Sequence, residues 1–228
     1  MSSIEPLLID WPPVLPSERL LLRAPQAGDG AALNEAVAQS IAELRPWMPW
    51  ARKVPTRKQS ELTCRQMAAR FAQRSDLPLF IFARAADGGC GRLLGGTGLH
   101  RVDWSVPRFE IGYWRRSGEQ GHGWITEAVR TLSRFAFDQL GARRVEIRMS
   151  SDNVKSRAVA ERCGFTLEGV LRQDSLDVHG RPRDTAVYAR VRGVEEPARS
   201  GAQPRPAGRQ PPLKTAKASA AKRGRPRR

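Results

Sequence analysis

The chain is poor in the residues that build disulfide frameworks, metal sites and covalent nucleophile pairs. Its 228 residues include only three cysteines and three histidines. Cys64, Cys90 and Cys163 are odd in number and far apart, which favours reduced thiols over disulfides. The histidines, at positions 100, 122 and 179, show no metal-ligand spacing. We therefore expect no metal, and no evident Cys–His or Ser–His pairing indicates a covalent intermediate.

Long apolar runs are also missing from the chain. No segment is long enough to span a bilayer, so we expect no membrane association. The N-terminus lacks the basic region and apolar core of a signal peptide. Together with reduced thiols, these absences predict a cytoplasmic location. The length is enough for one well-buried domain with extensions.

Acidic residues are missing from the C-terminal end. Pro197 to Arg228 contains ten lysines and arginines and no acid, which leaves +6 of the net charge of +16 for the rest. This composition cannot bury enough apolar area to offset ordering entropy, which predicts a disordered basic tail over residues 195–228. Residues 222–228 resemble an AT-hook core, whose arginines suit a narrow minor groove. The alternative is a generic solvated tail, and either form would contact nucleic acid weakly.

Between a Pro-rich arm (1–17) and this tail, residues 18–194 have the periodicity of one mixed α/β domain. The predicted strands are 19–23, 79–83, 93–101, 108–114, 144–150, 165–177 and 185–192. The predicted helices are 29–39, with Asp29 as its cap, 56–74, 124–140 and 153–163, and residues 40–51 are predicted as a helix that ends in a loop. One apolar face is expected from Leu62, Met67, Ala68 and Phe71, and another from Ala128, Val129, Leu132, Phe135 and Ala136.

The segment from Gln120 to Thr126 joins a predicted strand to an amphipathic helix. Gly121 and Gly123 let the backbone approach a ligand closely, because no Cβ stands in the way. The first helix amides have no intrahelical partner and carry the positive end of the dipole. The segment is therefore typical of an anion cradle for phosphate, although a Gly-rich turn that binds nothing is the alternative. The signatures of P-loop and dinucleotide-binding proteins fit poorly.

Four separated motifs occur in one characteristic order. They are Glu110-Ile111-Gly112-Tyr113-Trp114; Gln120-x-x-Gly123 with Thr126-Glu127-Ala128; Asn153-x-x-Ser156 with Ala160 and Glu161; and Gly164-Phe165-x-Leu167-Glu168-Gly169. As a set they resemble the GCN5-related N-acetyltransferase (GNAT) superfamily. Residues 44–50 and 184–190 are similar to its branch that acetylates the N-termini of ribosomal proteins, the RimJ/RimL-like enzymes. The resemblance spans roughly residues 20–192 and departs from the family at Ile125, where Gly or Ala is preferred.

The resemblance implies a GNAT fold. In that fold a mixed, mostly antiparallel sheet is flanked by helices and splays between its fourth and fifth strands, with acetyl-CoA as co-substrate in the gap. Asn153 and Lys155 would lie near the pantetheine arm and phosphates, although they also suit a helix cap and a solvated charge. Ile125 would crowd the pyrophosphate or turn into the core. The expected cofactor-binding residues are Ile111, Gly112, Tyr113, Gln120, Gly121, His122, Gly123, Trp124, Ile125, Thr126, Asn153 and Lys155.

Direct acetyl transfer needs a base for the amine and a donor for the leaving thiolate. Glu110, on the strand that borders the acetyl group by resemblance, is our candidate base, because a partly apolar cleft would raise its pKa. Ser156 is the candidate thiolate donor. Family relatives use a second acidic residue, for which the alignment offers Asp174 or Ser175. The alternatives are a surface carboxylate for Glu110 and a first-turn helix serine for Ser156.

Trp47 and Trp50 would wall the acceptor pocket, with core packing as the alternative. The resulting prediction is an enzyme that moves acetyl from acetyl-CoA to a primary amine, the N-terminal α-amine of a ribosomal protein. Two alternatives stay open. One is acetylation of a small amine such as an antibiotic, polyamine or amino acid, and the other is a nucleic-acid-tethered, non-catalytic acyl-CoA sensor.

Overall fold

The apolar segments fold into one open sheet covered by helices in residues 5–198, the part of the chain that the computed structural model describes. The strands are β1 (Leu15–Pro16), β2 (Leu20–Arg23), β3 (Leu77–Arg84), β4 (Cys90–Asp103), β5 (Arg108–Arg115), β6 (Arg144–Ser150), β7 (Thr166–Leu176) and β8 (Pro182–Val191). The helices are α1 (Gly30–Leu44), α2 (Arg57–Ala72), α3 (Trp124–Asp138) and α4 (Val154–Arg162), preceded by a short 3-10 turn at Pro6–Leu8. No helix in this range is long and apolar enough to cross a membrane.

The sheet has the order β1-β2-β3-β4-β5-β6-β8-β7, and one neighbouring pair in it is parallel. That pair is β5–β6, whose register covers only residues 108–110 against 144–146. Beyond Glu110 the two strands separate, while β4–β5 and β6–β8 stay paired along their length. The predicted splay between the fourth and fifth strands is therefore confirmed. The two strands are β5 and β6 here because Leu15–Pro16 adds a short strand in front.

Two apolar clusters cover the two faces of the sheet. The larger contains the buried α3 residues Ala128, Val129, Leu132 and Ala136, as their spacing predicts. Phe135, expected in the same stripe, is only partly buried and packs against this cluster. The smaller cluster joins residues of α1 and α2 to the opposite face of β3 and β4. The helices therefore hold β4 and β5 from both sides and leave the gap beside β6 open.

The buried face of α2 differs from the predicted one. Thr56 caps the helix in a capping box with Gln59, as a start near Thr56 predicts. The fully buried residues of α2 are Ser60 and Cys64, whereas Leu62 is 53% exposed. Met67 and Phe71 of the predicted face are partly buried against the apolar clusters. The prediction is therefore wrong for Leu62 and missed Ser60 and Cys64, whose small side chains allow close helix contact.

Asp29 precedes α1, as expected, but its side chain does not cap the helix. Its carboxylate instead accepts two hydrogen bonds from Arg23, at 2.7 and 2.8 Å, and one from the Gln26 amide. The amides of Gly28 and Gly30 are satisfied by Glu61 from α2. A distant carboxylate has thus taken the capping role that local sequence assigned to Asp29.

The N-terminal stretch expected as an arm packs on the domain through several of its residues, although Leu7 and Leu8 are exposed. Leu15 is buried and pairs with Leu22 of β2. The Trp11 ring lies 5.1 Å from Phe71 and 4.6 Å from Phe135. Residues 5–17 are therefore part of the packed structure, because their few apolar side chains fill the groove beside α3. The AT-hook-like residues 222–228 lie outside the described residues.

Candidate active site

A cavity of about 660 Å³ lies where β5 and β6 separate. Its walls come from β3, β4, β5, β6 and β8, from α1, α2 and their connection, and from the start of α4. The lining brings together eight of the predicted site residues, namely Trp47, Trp50, Glu110, Ile111, Gly112, Tyr113, Asn153 and Ser156. Sequence positions more than 100 residues apart therefore share one enclosed space.

Glu110 is the acidic group of β5 in this cavity. Burial raises the pKa of its carboxyl group, and the charge of Glu146 acts in the same direction, while Arg101, Arg148 and His100 oppose it. Arg101 Nε lies 3.4 Å from Glu110 Oε2, yet that buried oxygen accepts no hydrogen bond from the protein. A carboxylate with a raised pKa and an open acceptor position can take a proton from a group that enters the cavity.

Ser156 and Tyr113 form a hydroxyl pair across the gap. Tyr113 Oη lies 2.8 Å from Ser156 Oγ and donates to the Ser156 carbonyl oxygen at 3.0 Å. Burial raises the pKa of Tyr113 well above its usual range, so this phenol stays protonated and can donate its hydrogen bond. The pairing joins β5 to α4 over 43 residues of sequence. No local pattern could have predicted it.

The Gly-rich turn has the backbone that its sequence predicts. Gly121 and Gly123 have φ of 82° and 76°, in the left-handed region that favours glycine, and α3 starts at Trp124. Ile125 is only 9% exposed and lies in the larger apolar cluster. The Ile125 side chain therefore points into the core. Of the two expectations for this departure from the family, burial in the core is the one that the structure shows.

Residues of the turn also contact neighbours that the sequence did not indicate. The His122 ring stacks on Trp124 at 5.4 Å, and the Arg19 guanidinium lies 4.4 Å from the same indole ring. Arg19 also forms an ion pair with Glu127 that ties β2 to α3. The Arg19 guanidinium therefore lies beside the turn, close to the positive N-terminal end of α3. Arg19 follows a Pro-rich stretch and carries no motif that could have revealed it.

The remaining predicted cofactor residues surround the turn and the start of α4. Asn153 caps α4, since its Oδ1 accepts from the Ser156 amide at 3.1 Å, and it also lines the cavity. Lys155 is exposed on the first turn of α4. Gln120 is exposed and donates to Glu43 at 3.2 Å, and Thr126 lies in the first turn of α3. Asn153 therefore both caps α4 and borders the gap.

Asp174 reaches the cavity only through an arginine. It is exposed on β7, and its Oδ2 accepts from Arg148 at 3.0 Å, while Arg148 lines the cavity. A hydrogen bond from the Thr185 hydroxyl, followed by the Arg148 charge, lowers the pKa of Asp174. Ser175, the alternative position, accepts from Arg183, another cavity residue, at 2.9 Å. Both positions hold cavity arginines, and an assisting role for Asp174 stays a prediction.

The aromatic residues stand at the open end of the cavity. Trp47 and Trp50 line it together with Met48, and the Trp50 ring lies 6.0 Å from that of Trp114 in an edge-on arrangement. Trp50 is 52% exposed, so it is not a core residue. These side chains can contact a ligand that extends out of the cavity.

The sequence missed most of the polar lining. His100 Nδ1 lies 2.6 Å from Asp76 Oδ1, and both residues line the cavity. Lys53, Arg70 and Arg183 add positive charge to the cavity lining. Within residues 5–198, no group of three or more His, Cys, Asp or Glu side chains is placed to hold a metal ion.

Comparison with known proteins identifies the family to which this site belongs. Residues 19–166 match the family model described as Acetyltransferase (GNAT) domain. The Bacillus subtilis (strain 168) protein named "Putative ribosomal N-acetyltransferase YdaF" is 34% identical over 173 residues, covering 76% of this chain and 91% of that protein. The ribosomal-protein-serine acetyltransferase of Escherichia coli (strain K12) is 27% identical, covering 77% and 94%.

Solved structures agree in fold. A RimL ribosomal L7/L12 α-N-protein acetyltransferase in complex with coenzyme A superposes with a TM-score of 0.71 at 25% identity, covering 78% of this chain and 97% of that chain. The microcin C7 self-immunity acetyltransferase MccE, solved with acetyl-CoA and AMP, gives 0.70 at 27% identity, covering 77% and 93%. The chain therefore belongs to the GNAT acetyltransferase family and is an acetyltransferase similar to those that modify ribosomal proteins.

Proposed function

We propose that the protein transfers the acetyl group of acetyl-CoA directly to the N-terminal α-amine of a ribosomal protein. The observation that carries this proposal is the placement of Glu110 and the Ser156–Tyr113 pair around one cavity at the point where β5 and β6 separate. A base and a hydrogen-bond donor on two sides of one gap are what attack on a thioester requires. The names of the relatives support an acceptor of this kind.

Acetyl-CoA would enter the gap from the Gly-rich turn. Free amides at the start of α3, exposed by Gly121 and Gly123, suit the pyrophosphate, because they combine hydrogen-bond donors with a positive helix end. Lys155 supplies further positive charge on the first turn of α4. Ile111, Gly112 and Tyr113 of β5 and Asn153 of α4 would border the pantetheine arm, since they line the gap between turn and cavity. The solved neighbours that bind coenzyme A or acetyl-CoA support this assignment.

In the reaction, the amine nitrogen attacks the thioester carbon, a C–N bond forms and the C–S bond breaks. Glu110 accepts the proton that the nitrogen loses, and its burial makes it basic enough for that task. Ser156 donates a hydrogen bond to the departing sulfur, and Tyr113 holds the serine hydroxyl in place. We assign Asp174 the indirect role of orienting Arg148 toward the cavity. Trp47 and Trp50 would contact the acceptor as it enters.

Measurement of thiol release from acetyl-CoA with a peptide panel tests the proposal. The panel contains free peptides that start with Ser, Ala or Met and an N-blocked peptide with an internal lysine. We expect turnover with the free N-termini alone. Turnover with polyamines, amino acids or antibiotics but no peptide would replace the protein acceptor with a small amine. The complex of MccE with AMP keeps that second function in view.

A variant truncated after Ala198 separates catalysis from any contact made by the tail. All the residues assigned here to the reaction precede that point, so free-peptide turnover should match the full chain within about twofold. A truncated protein that binds acetyl-CoA normally but has lost turnover would contradict the assignment of the whole site to residues 19–191. In gel-shift measurements at low salt, the full chain should bind nucleic acid more tightly than the truncated chain.

A further inference from the structure

The His100–Asp76 pair is a strongly polar contact of the cavity that the proposed reaction leaves unused. Asp76 Oδ1 lies 2.6 Å from His100 Nδ1, short enough for a charge-assisted hydrogen bond. A carboxylate at Nδ1 favours the tautomer that carries its proton there, which leaves Nε2 as a free proton acceptor. Asp76 is itself held near Arg70, whose Nε lies 3.9 Å from its other oxygen.

Sheet register places this imidazole beside the proposed base. His100 of β4 lies directly opposite Glu110 of β5 in the antiparallel ladder, and both side chains line the cavity. Directly paired residues in such a ladder have Cβ atoms about 5 Å apart on one face of the sheet. His100 and Glu110 are therefore neighbouring proton acceptors in one space.

Two glycines make room for the ring. Gly98 and Gly112 are also directly paired, and each carries no side chain on the face where the imidazole lies. A Cβ at Gly98 would fall 2.9 Å from His100 Nε2, and a Cβ at Gly112 would fall 3.2 Å from it. The Nε2 edge thus lies over the part of β5 assigned to the acetyl and pantetheine groups.

Charged groups from several elements line the cavity or act on Glu110 beside it. They are Lys53 from the α1–α2 connection, Arg70 from α2, Asp76 before β3, Arg101 at the end of β4, Glu110 of β5, Glu146 and Arg148 of β6, and Arg183 of β8. Asp76 is the acid in contact with His100.

Proton stoichiometry gives this pair a task. A primary amine arrives at neutral pH mainly as an ammonium with three protons, and the amide product keeps one of them. Two protons must leave the nitrogen, one before attack to free its lone pair and one as the C–N bond forms. Glu110 can hold only one proton at a time, so a second acceptor beside it can take the other.

We propose that His100, oriented by Asp76, is a second catalytic base that converts the bound ammonium acceptor to the free amine. The inference rests on the proposed function, because it requires an amine acceptor in this cavity. His100 Nε2 accepts the first proton and becomes imidazolium, and the neutral amine then attacks the thioester. Glu110 accepts the second proton, the thiolate takes up one proton to become the coenzyme A thiol, and the other proton leaves through His100 to solvent.

The test is the pH dependence of kcat/KM in wild type and His100→Gln, with a free Ser- or Ala-peptide as acceptor. Above the amine pKa of about 8 the acceptor is already neutral and the histidine is not needed. We therefore expect the two proteins to agree within about twofold near pH 9.5. Below that pKa the ratio should grow about tenfold per pH unit, to roughly tenfold near pH 7, because the neutral fraction falls by that factor. Asp76→Asn should show the same trend with a smaller amplitude.

Matched variants keep the test falsifiable. His179→Gln, in the exposed β7–β8 turn, should follow wild type at every pH. Acetyl-CoA affinity and thermal melting show whether the His100→Gln protein is folded. If it is not, the pH profile of kcat/KM in Asp76→Asn provides the test. A pH-independent loss in a folded His100→Gln protein would mean a structural role and overturn the inference alone. If the wild-type protein acetylates only small amines, the proposed protein acceptor is wrong, and the pH dependence measured with a small amine still tests His100. If no amine is acetylated, both the proposed function and this inference are wrong.

Discussion

The Gly-rich turn and the cavity beside it differ in construction, and the proposed function gives them different tasks. The turn is exposed, and two left-handed glycines set its backbone, so its conformation matters more than its side chains. The cavity is lined by side chains from five strands and three helices. The comparison teaches that the proposed cofactor-binding turn is built locally, whereas the proposed reacting centre forms only once the sheet has formed.

Glu110→Gln should give the largest effect, because it removes a proton acceptor and keeps the shape of the side chain. We expect kcat/KM for the amine acceptor to fall about 10²- to 10⁴-fold at pH values above the pKa of Glu110, the range typical of a general base. Acetyl-CoA affinity, measured by calorimetry, should be unchanged, since Glu110 lies away from the Gly-rich turn. A Glu110→Gln protein that lost only acetyl-CoA affinity would contradict the assignment of the base to the cavity and of cofactor binding to the turn.

Ser156→Ala should reduce kcat by about 10- to 100-fold if the hydroxyl hydrogen-bonds the departing sulfur. Tyr113→Phe removes the partner hydroxyl at 2.8 Å but leaves the serine, so its loss should be smaller. Ser133, buried in α3 and outside the cavity, is a matched position where Ser→Ala should leave kcat unchanged. A greater loss for Tyr113→Phe than for Ser156→Ala would reverse the two roles.

The backbone conformation of the Gly-rich turn can be tested by substitution of one of its glycines. Gly123→Ala forces a residue with a Cβ into φ of 76°, at a cost of about 1–2 kcal/mol. If the turn relaxes instead of bearing that strain, its amides move and the KM for acetyl-CoA should rise roughly tenfold with a smaller change in kcat. Gly180→Ala, at φ of 77° in the β7–β8 turn, carries the same strain away from the site. It should lower the melting temperature by a similar amount and leave KM unchanged.

The same contrast explains how far the sequence could predict the molecule. The turn, the buried stripe of α3 and the strand at residues 144–150 were predictable because glycine conformation and residue periodicity act over a few positions. His100–Asp76 and Tyr113–Ser156 were not, because they are 24 and 43 residues apart and meet only across the finished sheet. The predictions for Leu62 and Asp29 were wrong for a related reason. Ser60 and Cys64 are the buried residues of α2, and Glu61 of α2 accepts the amide hydrogen bonds at the start of α1. Long-range contacts override local preference wherever two elements meet.

The smallest effect should come from Arg101, which tunes the cavity without forming part of its wall. Arg101 has a left-handed backbone, φ of 46°, at an irregularity between β4 and β5, and its guanidinium lies 3.4 Å from the Glu110 carboxylate. Its positive charge lowers the pKa of Glu110 against the larger opposite effect of burial. Arg101→Gln removes that charge, so the pKa of Glu110 should rise further.

Glu110 accepts a proton only in its ionised form, so kcat/KM falls as the pH drops through its pKa. A higher pKa must therefore move the acid limb of the profile to higher pH in Arg101→Gln, and the plateau above it should keep the wild-type height. Arg101 is mostly exposed and solvent screens it, so we expect the shift to be small. Arg65→Gln, which removes an exposed ion pair on α2, should not move the limb. A shift to lower pH in Arg101→Gln would contradict Glu110 as the group that titrates, whereas a loss of plateau height would make Arg101 a ligand of the acceptor.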